Sequence, residues 1–525
     1  MTFRVSMLKK YIELLYQSRN RSPQEQLALV HDIGRRGFLK QIMQLTLFAT
    51  LSTTCCGVPA EYNAILPEIG DSDRSGLSPR EADFLGRQVI QDIQNKGSML
   101  DDYDILAYLN EVGGDLVSYS SEAGQNFNFY LVRDTIINAF ALPGGYICLY
   151  NGLIFTTRTE AELTSVMAHE IGHVVQHHIF RNIAGYNRNQ WLALAGVLSA
   201  AMMATVNPSA AMLAIHGSQG LATQNMLSNS RDFEREADRV GQKIMYSAGY
   251  DPHAMPEFFK RLKDENKFND NEAFAFLRTH PVTSERISEA ETRANQLDVG
   301  QTRPDSISFL LIREKCRVRQ FGVVEAIKFY QGTLKFKKYS NIDAQYYGLA
   351  FAQFLAKNLP AAWANLSKIA APSFTAHPAV ISLKALVQKE NKNYMLAEKL
   401  YRAGLDLYPA YKGLWLGQSD LYIKSKQYEL AVRKLDELSQ NYPLDVDVWV
   451  HSAVLYSDAA LNNRQKYHYA LGNKLYLLGD YKEALSQYQR ALTIKNADPV
   501  LNDVISAKVL ETRSAIQNSL QYGDG

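Results

Sequence analysis

Between residues 160 and 180 the apolar side chains Leu163, Val166, Met167, Ile171, Val174 and Val175 recur at near-helical spacing, which predicts a helix from about Glu160 to Phe180. A second helix is predicted out of the charged run Ser230–Asp238, because Val240, Ile244 and Met245 continue it with the same period. From Ile137 to Tyr150 the pattern changes to short, alternating, β-branched runs. These predict a strand that stops at Pro143-Gly144-Gly145 and resumes at Tyr146-Ile147-Cys148-Leu149. Trp191–Val206 reads WLALAGVLSAAMMATV, which is short for a bilayer-spanning helix. Two readings stay open for it: a buried hairpin arm, or a lid resting on a membrane surface or a partner.

After about Asp305 the pattern becomes periodic on a larger scale. Aligning the segments that begin at Phe321, Asn358, Asn393, Gln427 and Asp480 brings Ala326, Ala362, Ala397, Ala431 and Ala484 into register, at spacings of 36, 35, 34 and 53 residues. Pro409 and Pro443 are also 34 apart. A period near 34 with a small residue at the helix crossing predicts tetratricopeptide repeats, with Trp415, Tyr422, Leu435 and Tyr488 as core. The 53-residue gap needs an extra half repeat, expected as a helix around Val446–Ala459, and the first unit is degenerate. Eighteen of the 30 tyrosines follow residue 304, and most are expected to be core. Stacked helix pairs suit the holding of a peptide or a partner subunit.

Composition narrows the class. A chain of 525 residues, 46% hydrophobic and 21% charged, is neither disordered nor a disulfide scaffold. Residues 1–60 carry eight Lys/Arg and three acids, so the rest holds 48 basic and 51 acidic residues, a net of −3 that gives no reason to expect nucleic acid as a partner. Arg35-Arg36-Gly37-Phe38-Leu39-Lys40, the short apolar run Ile42–Ser52 and Val58-Pro59-Ala60 read as a twin-arginine-type export leader with cleavage after Ala60. This predicts a periplasmic protein. Cys55 and Cys56 lie in a poor match to a lipidation site, and Cys148 and Cys316 are expected to be two separate buried thiols.

The chemistry lies in the middle of the chain. His169-Glu170-Ile171-Gly172-His173 puts two imidazoles one helical turn apart on one face, with a carboxylate beside them: the HExxH arrangement for zinc. A hydrolytic zinc wants a third protein ligand and an open fourth position. Glu234 is the candidate. Asp238, one turn on, is placed to accept a hydrogen bond from a ligand histidine, whereas Glu236 points to another face. His177 continues the i, i+4 ladder from His173, but solvent-facing or supporting roles suit His177 and His178 better than ligation. Thr279-His280-Pro281 predicts a helix break, which puts His280 on a loop.

These motifs, together with Asn138-Ala139-Phe140-Ala141-Leu142-Pro143-Gly144-Gly145, Gly249-Tyr250-Asp251-Pro252 and His280-Pro281-Val282-Thr283-Ser284-Glu285-Arg286, resemble the HtpX/CAAX-prenyl-protease family of zinc metallopeptidases over about residues 70–295. The resemblance implies one zinc ion per chain held by His169, His173 and Glu234, with Glu170 as general base. It also implies that His280 fills the fourth zinc position in a closed, resting state. Asp238 is expected to support a ligand, and Arg286 or a displaced His280 to supply an oxyanion donor. Asn138, Ala139 and Phe140 are expected to pair with an extended substrate. With an export signal before and repeats after, the periplasmic members are the nearest pattern. They imply unfolded or misassembled outer-membrane proteins as clients and the outer-membrane assembly machinery as the partner of the repeats. The rival reading is a chaperone-like scaffold with a structural metal site. The expected architecture is mainly α: a leader over 1–60, a helical zincin-like metallopeptidase domain with a small β-sheet over 61–300, and a tetratricopeptide α-solenoid over 301–525.

Overall fold

The computed structural model describes residues 78–100, 102–182, 231–268, 275–458, 460–495 and 498–523. The leader and the Trp191–Val206 run lie outside the described residues. The first helices are α1 (Pro79–Asn95), begun by a Ser78/Glu81 capping box, and α2 (Tyr103–Ser118), whose N-terminal N–H groups donate to the Asp102 carboxylate. Then come β1 (Asn128–Val132), β2 (Ala139–Leu142) and β3 (Tyr146–Tyr150), with the predicted turn between the last two. The sheet order is β1-β3-β2. β1 runs parallel to β3, and β2 runs antiparallel to it, with Phe140 opposite Cys148. Every residue of the central strand β3 is buried.

Helix α3 (Asn151–Thr156) leads into α4 (Glu160–Val175), capped by the Thr159 side chain. Nearly every residue of α4 is buried, so it is the axis of the domain rather than an amphipathic wall. The helix expected to reach Phe180 stops at Val175. A turn through Gln176 and His177, the latter at φ +53°, starts the separate helix α5 (His178–Asn182). No glycine or proline marks this break, which is why periodicity missed it. Helix α6 (Arg231–Ser247) lies along α4, followed by α7 (Ala254–Phe268), α8 (Ala275–Thr279) and α9 (Ser284–Asn295). The two central helices touch backbone to backbone. A Cβ on Gly172 would lie 2.9 Å from Ala237 O, and one on Gly241 would lie 2.8 Å from both Ala168 O and His169 N. That closeness sets the carboxylates of α6 against the histidines of α4.

The repeat array comprises α10 (Ile307–Phe321), α11 (Val323–Lys335), α12 (Ile342–Leu355), α13 (Leu359–Leu366), α14 (Pro372–Thr375), α15 (Pro378–Glu390), α16 (Tyr394–Leu407), α17 (Lys412–Lys424), α18 (Tyr428–Asn441), α19 (Val446–Tyr456), α20 (Arg464–Leu477), α21 (Tyr481–Leu492) and α22 (Pro499–Gly523). The five aligned alanines are all fully buried, as their register predicts, and α19 fills the long gap. Lys357, Lys392 and Lys426 take positive φ at the same turn of successive repeats, and Gly479 takes it next. Tyr330, Tyr401 and Tyr488 are buried within the repeats. Cys148 and Cys316 are free, buried thiols.

The array also grips the start of α2. The Lys315 ammonium bonds Asp102 Oδ1 at 2.7 Å and also Asp104; Arg319 reaches Asp102 Oδ2 at 2.7 Å, and Tyr411 donates to Asp104 at 2.5 Å. Tyr103, between the two acids, packs against the repeat cluster that holds Trp415, Tyr422 and Leu435.

Candidate metal centre

His169 and His173 project from one face of α4, as the i, i+4 spacing predicts, and Glu234 projects from α6 opposite them. His280 enters from the turn after α8. All four are buried, and their ligand atoms lie within 4.8 Å of one another. Neighbouring atoms form a closed ring. His169 Nε2 is 3.0 Å from His173 Nε2, which is 3.3 Å from Glu234 Oε1; that oxygen is 3.1 Å from His280 Nδ1, which is 3.3 Å from His169 Nε2. A tetrahedral cation with bonds of about 2.0–2.1 Å spaces its ligands about 3.3–3.4 Å apart. The ring therefore has the size and the donor chemistry for one divalent metal.

The outer atoms of the ligands support the same assignment. His169 Nδ1 lies 3.0 Å from Asp238 Oδ1, and His173 Nδ1 lies 2.9 Å from His178 Nδ1. With protons held on both Nδ1 atoms, both Nε2 lone pairs face the ring centre. Arg286 ties the rest together: its Nε and Nη2 bond Asp238 at 2.7 and 2.8 Å, and its Nη1 lies 2.8 Å from both Glu234 Oε2 and Pro281 O. The sequence offered Arg286 as one of two oxyanion donors; in the structure its guanidinium faces Asp238, Glu234 and Pro281. Its position instead braces Glu234, Asp238 and the His280 turn.

The site is electrostatically coupled. Burial disfavours the His169 imidazolium, but hydrogen bonds to Asp238 and Glu234 more than offset this and raise its pKa to about 10. Burial pushes His173 down to about 3. Glu234 is buried too, yet His280 and the other two imidazoles hold it well below the usual carboxylate range. Positive charge is wanted at the ring, and a metal supplies it.

Glu170 stands beside the ring. Its Oε1 is buried without a hydrogen-bond partner, 3.5 Å from His280 Nε2, and burial raises its carboxyl above the ordinary range. The backbone N–H of Ala141 in β2 donates to Glu170. Of the residues expected to meet substrate, Ala139 and Asn138 are buried, and Phe140 packs edge-on to Tyr150, so these side chains build the sheet. β2 forms one border of the sheet. Phe276 of α8 donates its N–H to Ile137 O at 3.0 Å, just before β2, and the His280 ring stacks on Phe276.

Sequence reasoning allowed a supporting role to both His177 and His178 but did not tell which of them meets His173. The predicted unbroken helix placed His177 over His173, whereas the left-handed turn directs His177 toward Glu122, 3.9 Å away, and brings His178 to His173 instead. Glu236, set aside as pointing elsewhere, meets His178 Nε2 at 3.1 Å.

These features have counterparts in known proteins. The model of peptidase family M48 matches residues 106–294, and a tetratricopeptide-repeat model matches residues 465–498. The beta-barrel assembly-enhancing protease of Escherichia coli (strain K12) is 34% identical over 260 residues, 49% of this chain and 53% of that protein. The putative beta-barrel assembly-enhancing protease of Vibrio cholerae is 32% identical over 274 residues, 52% of this chain and 56% of that protein. A mitochondrial metalloendopeptidase of Arabidopsis thaliana is 27% identical over 241 residues, 45% of this chain and 46% of that protein. The chain thus spans about half the length of the relatives it matches. No helix among the described residues is long and apolar enough to cross a membrane.

Proposed function

From a peptidase family M48 match over the residues that carry the buried ring, we propose that this chain is a zinc-dependent endopeptidase of the cell envelope that cleaves unfolded or misassembled polypeptides. The observation that carries the reading is the ring itself: His169, His173, Glu234 and His280 converge at metal-ligand spacing, with Glu170 at its edge turning an Oε1 that has no hydrogen-bond partner. Bound zinc supplies a Lewis acid for the scissile carbonyl and acidifies water. His169, His173 and Glu234 hold it. Glu170 accepts the proton of the attacking water and returns it to the leaving amine. A carboxyl raised by burial is suited to both steps near neutral pH.

His280 makes the described state a resting one. Its Nδ1 occupies the fourth corner of the ring, so water and carbonyl reach the centre only after the turn following α8 moves. The α8 segment also bonds to Ile137 just ahead of β2, so one segment covers both the fourth position and the approach to the strand. An extended substrate pairs with the backbone of Asn138, Ala139 and Phe140, which reads main chain and not side chains. That selectivity suits unfolded clients. The relatives' name, beta-barrel assembly-enhancing protease, supports β-barrel proteins as those clients, with the repeats docking substrate or the outer-membrane assembly machinery. The Arg35-Arg36 leader supports export to the periplasm.

Glu170→Gln in the full chain tests the reading. Zinc content stays at one per chain, and cleavage of an unfolded reporter protein falls by at least about 100-fold, the scale of general acid–base catalysis. Unchanged cleavage with zinc retained rejects the catalytic reading and leaves a scaffold with a structural metal.

A further inference from the structure

His173 turns one ring nitrogen to the candidate metal ring and the other to a second histidine. Its Nδ1 lies 2.9 Å from Nδ1 of His178, which is buried, and the far nitrogen of His178, Nε2, lies 3.1 Å from Glu236 Oε2. The same Glu236 oxygen accepts from Arg181 at 2.8 Å. The His178 ring stacks on Phe233, with centroids 4.5 Å apart and planes 11° from parallel, and the Arg181 guanidinium lies 4.4 Å from the Phe233 ring centre. His178 is thus fixed in plane, in depth and at both nitrogens.

This seat depends on the break in the helix. In an unbroken helix a residue five positions on is rotated about 140° from the first, onto the wrong face. Here His177 takes φ +53°, its N–H bonds Val174 O at 3.0 Å, and the chain folds back so that residue 178 meets residue 173. A left-handed conformation at a residue other than glycine costs energy and persists where the surroundings require it.

The order of protons follows from the end of the chain of contacts. An ionised Glu236 only accepts, so His178 Nε2 carries the N–H and His178 Nδ1 is left as an acceptor. His173 Nδ1 must then donate, which leaves the His173 Nε2 lone pair facing the ring centre. One helix supports both α4 histidines by this means. From α6, Asp238 orients His169 directly, Glu236 orients His173 through an intervening imidazole, and Glu234 lies between them.

We infer that His178, anchored by Glu236, is a positioning residue that locks His173 in the tautomer able to bind the metal. The inference rests on the metallopeptidase reading above. The test is zinc affinity of the full-length protein, measured by competition with a chromogenic chelator, for the parent, His178→Leu, His178→Asn and Glu236→Ala. Leucine removes the acceptor and is expected to weaken zinc binding by about 10–100-fold, the usual scale for supports behind a metal ligand. Asparagine keeps an oxygen where Nδ1 stood and is expected to restore affinity to near the parent's, which a purely space-filling role would not produce. Glu236→Ala, at a partly exposed position, keeps the test open should the leucine variant fail to fold, and is expected to weaken binding severalfold. Parent-like affinity in His178→Leu, or an asparagine variant as weak as leucine, overturns the inference. So does parent-like affinity in Glu236→Ala where the leucine variant is unfolded. A parent that binds no zinc overturns instead the metallopeptidase reading, so the two failures are distinguishable.

Discussion

His280 has a different standing from the other three members of the ring. His169 and His173 sit on an almost wholly buried helix and Glu234 on the helix packed against it, whereas His280 lies in the turn between α8 and α9. It is the member that can leave at least cost. His280→Ala is therefore expected to raise cleavage of an unfolded substrate while zinc stays bound. If the open state is a minor population of about 1–10%, the gain is roughly 10–100-fold in a steady-state assay. A fall in rate would show instead that the imidazole is needed in the reaction. The sequence made the identity of these residues legible, because i, i+4 histidines share a helix face whatever surrounds them. It left the role of Arg286 open. Only the packed structure commits that guanidinium to Asp238, Glu234 and Pro281.

At the scale of elements, the site depends on how closely α4 and α6 approach. Exchanging a helical glycine for alanine ordinarily gains up to about 1 kcal/mol of helix propensity. At Gly241 the added methyl meets Ala168 O and His169 N at 2.8 Å, backbone that has nowhere to move. Overpacking of this kind costs about 1–3 kcal/mol and wins. Gly241→Ala is expected to lower the melting temperature and, by moving Glu234 away from the histidines, to weaken zinc binding. Parallel melts and chelator competition check both. An undisturbed zinc affinity would mean that the helices can separate without opening the ring. The existence and type of both helices were legible from their periods. The end of α4 was not, because the residue that turns the chain is a histidine, and its left-handed conformation is held by contacts of His178 with residues about sixty positions away.

For the whole molecule, the decisive contact joins the beginning of α2 to the repeats. Burial alone would raise the Asp102 carboxyl, but Lys315 and Arg319 hold it below its ordinary value of 3.8. Its contribution is therefore complete above that value and fades as the pH falls through the lowered one. Lys315→Ala strips Asp104 of its ammonium and leaves Asp102 with the Arg319 guanidinium and its capping N–H groups. Breaking a buried pair costs about 3–5 kcal/mol, so denaturant unfolding at neutral pH should show a loss of that size. A change under 1 kcal/mol would mean that water enters the joint freely. By itself the sequence determined the HExxH pair with its candidate third residue, the mainly α composition and the 34-residue register, since each is written in residue type and spacing over one or two helical turns or one repeat. Only the tertiary structure decided which histidine backs His173, where Arg286 spends its hydrogen bonds, and that an Asp-Tyr-Asp segment is seated among the repeats. Those outcomes depend on groups far apart in the chain, whose pairing is set by burial: a charge or lone pair removed from water must find its partner wherever the fold has placed one.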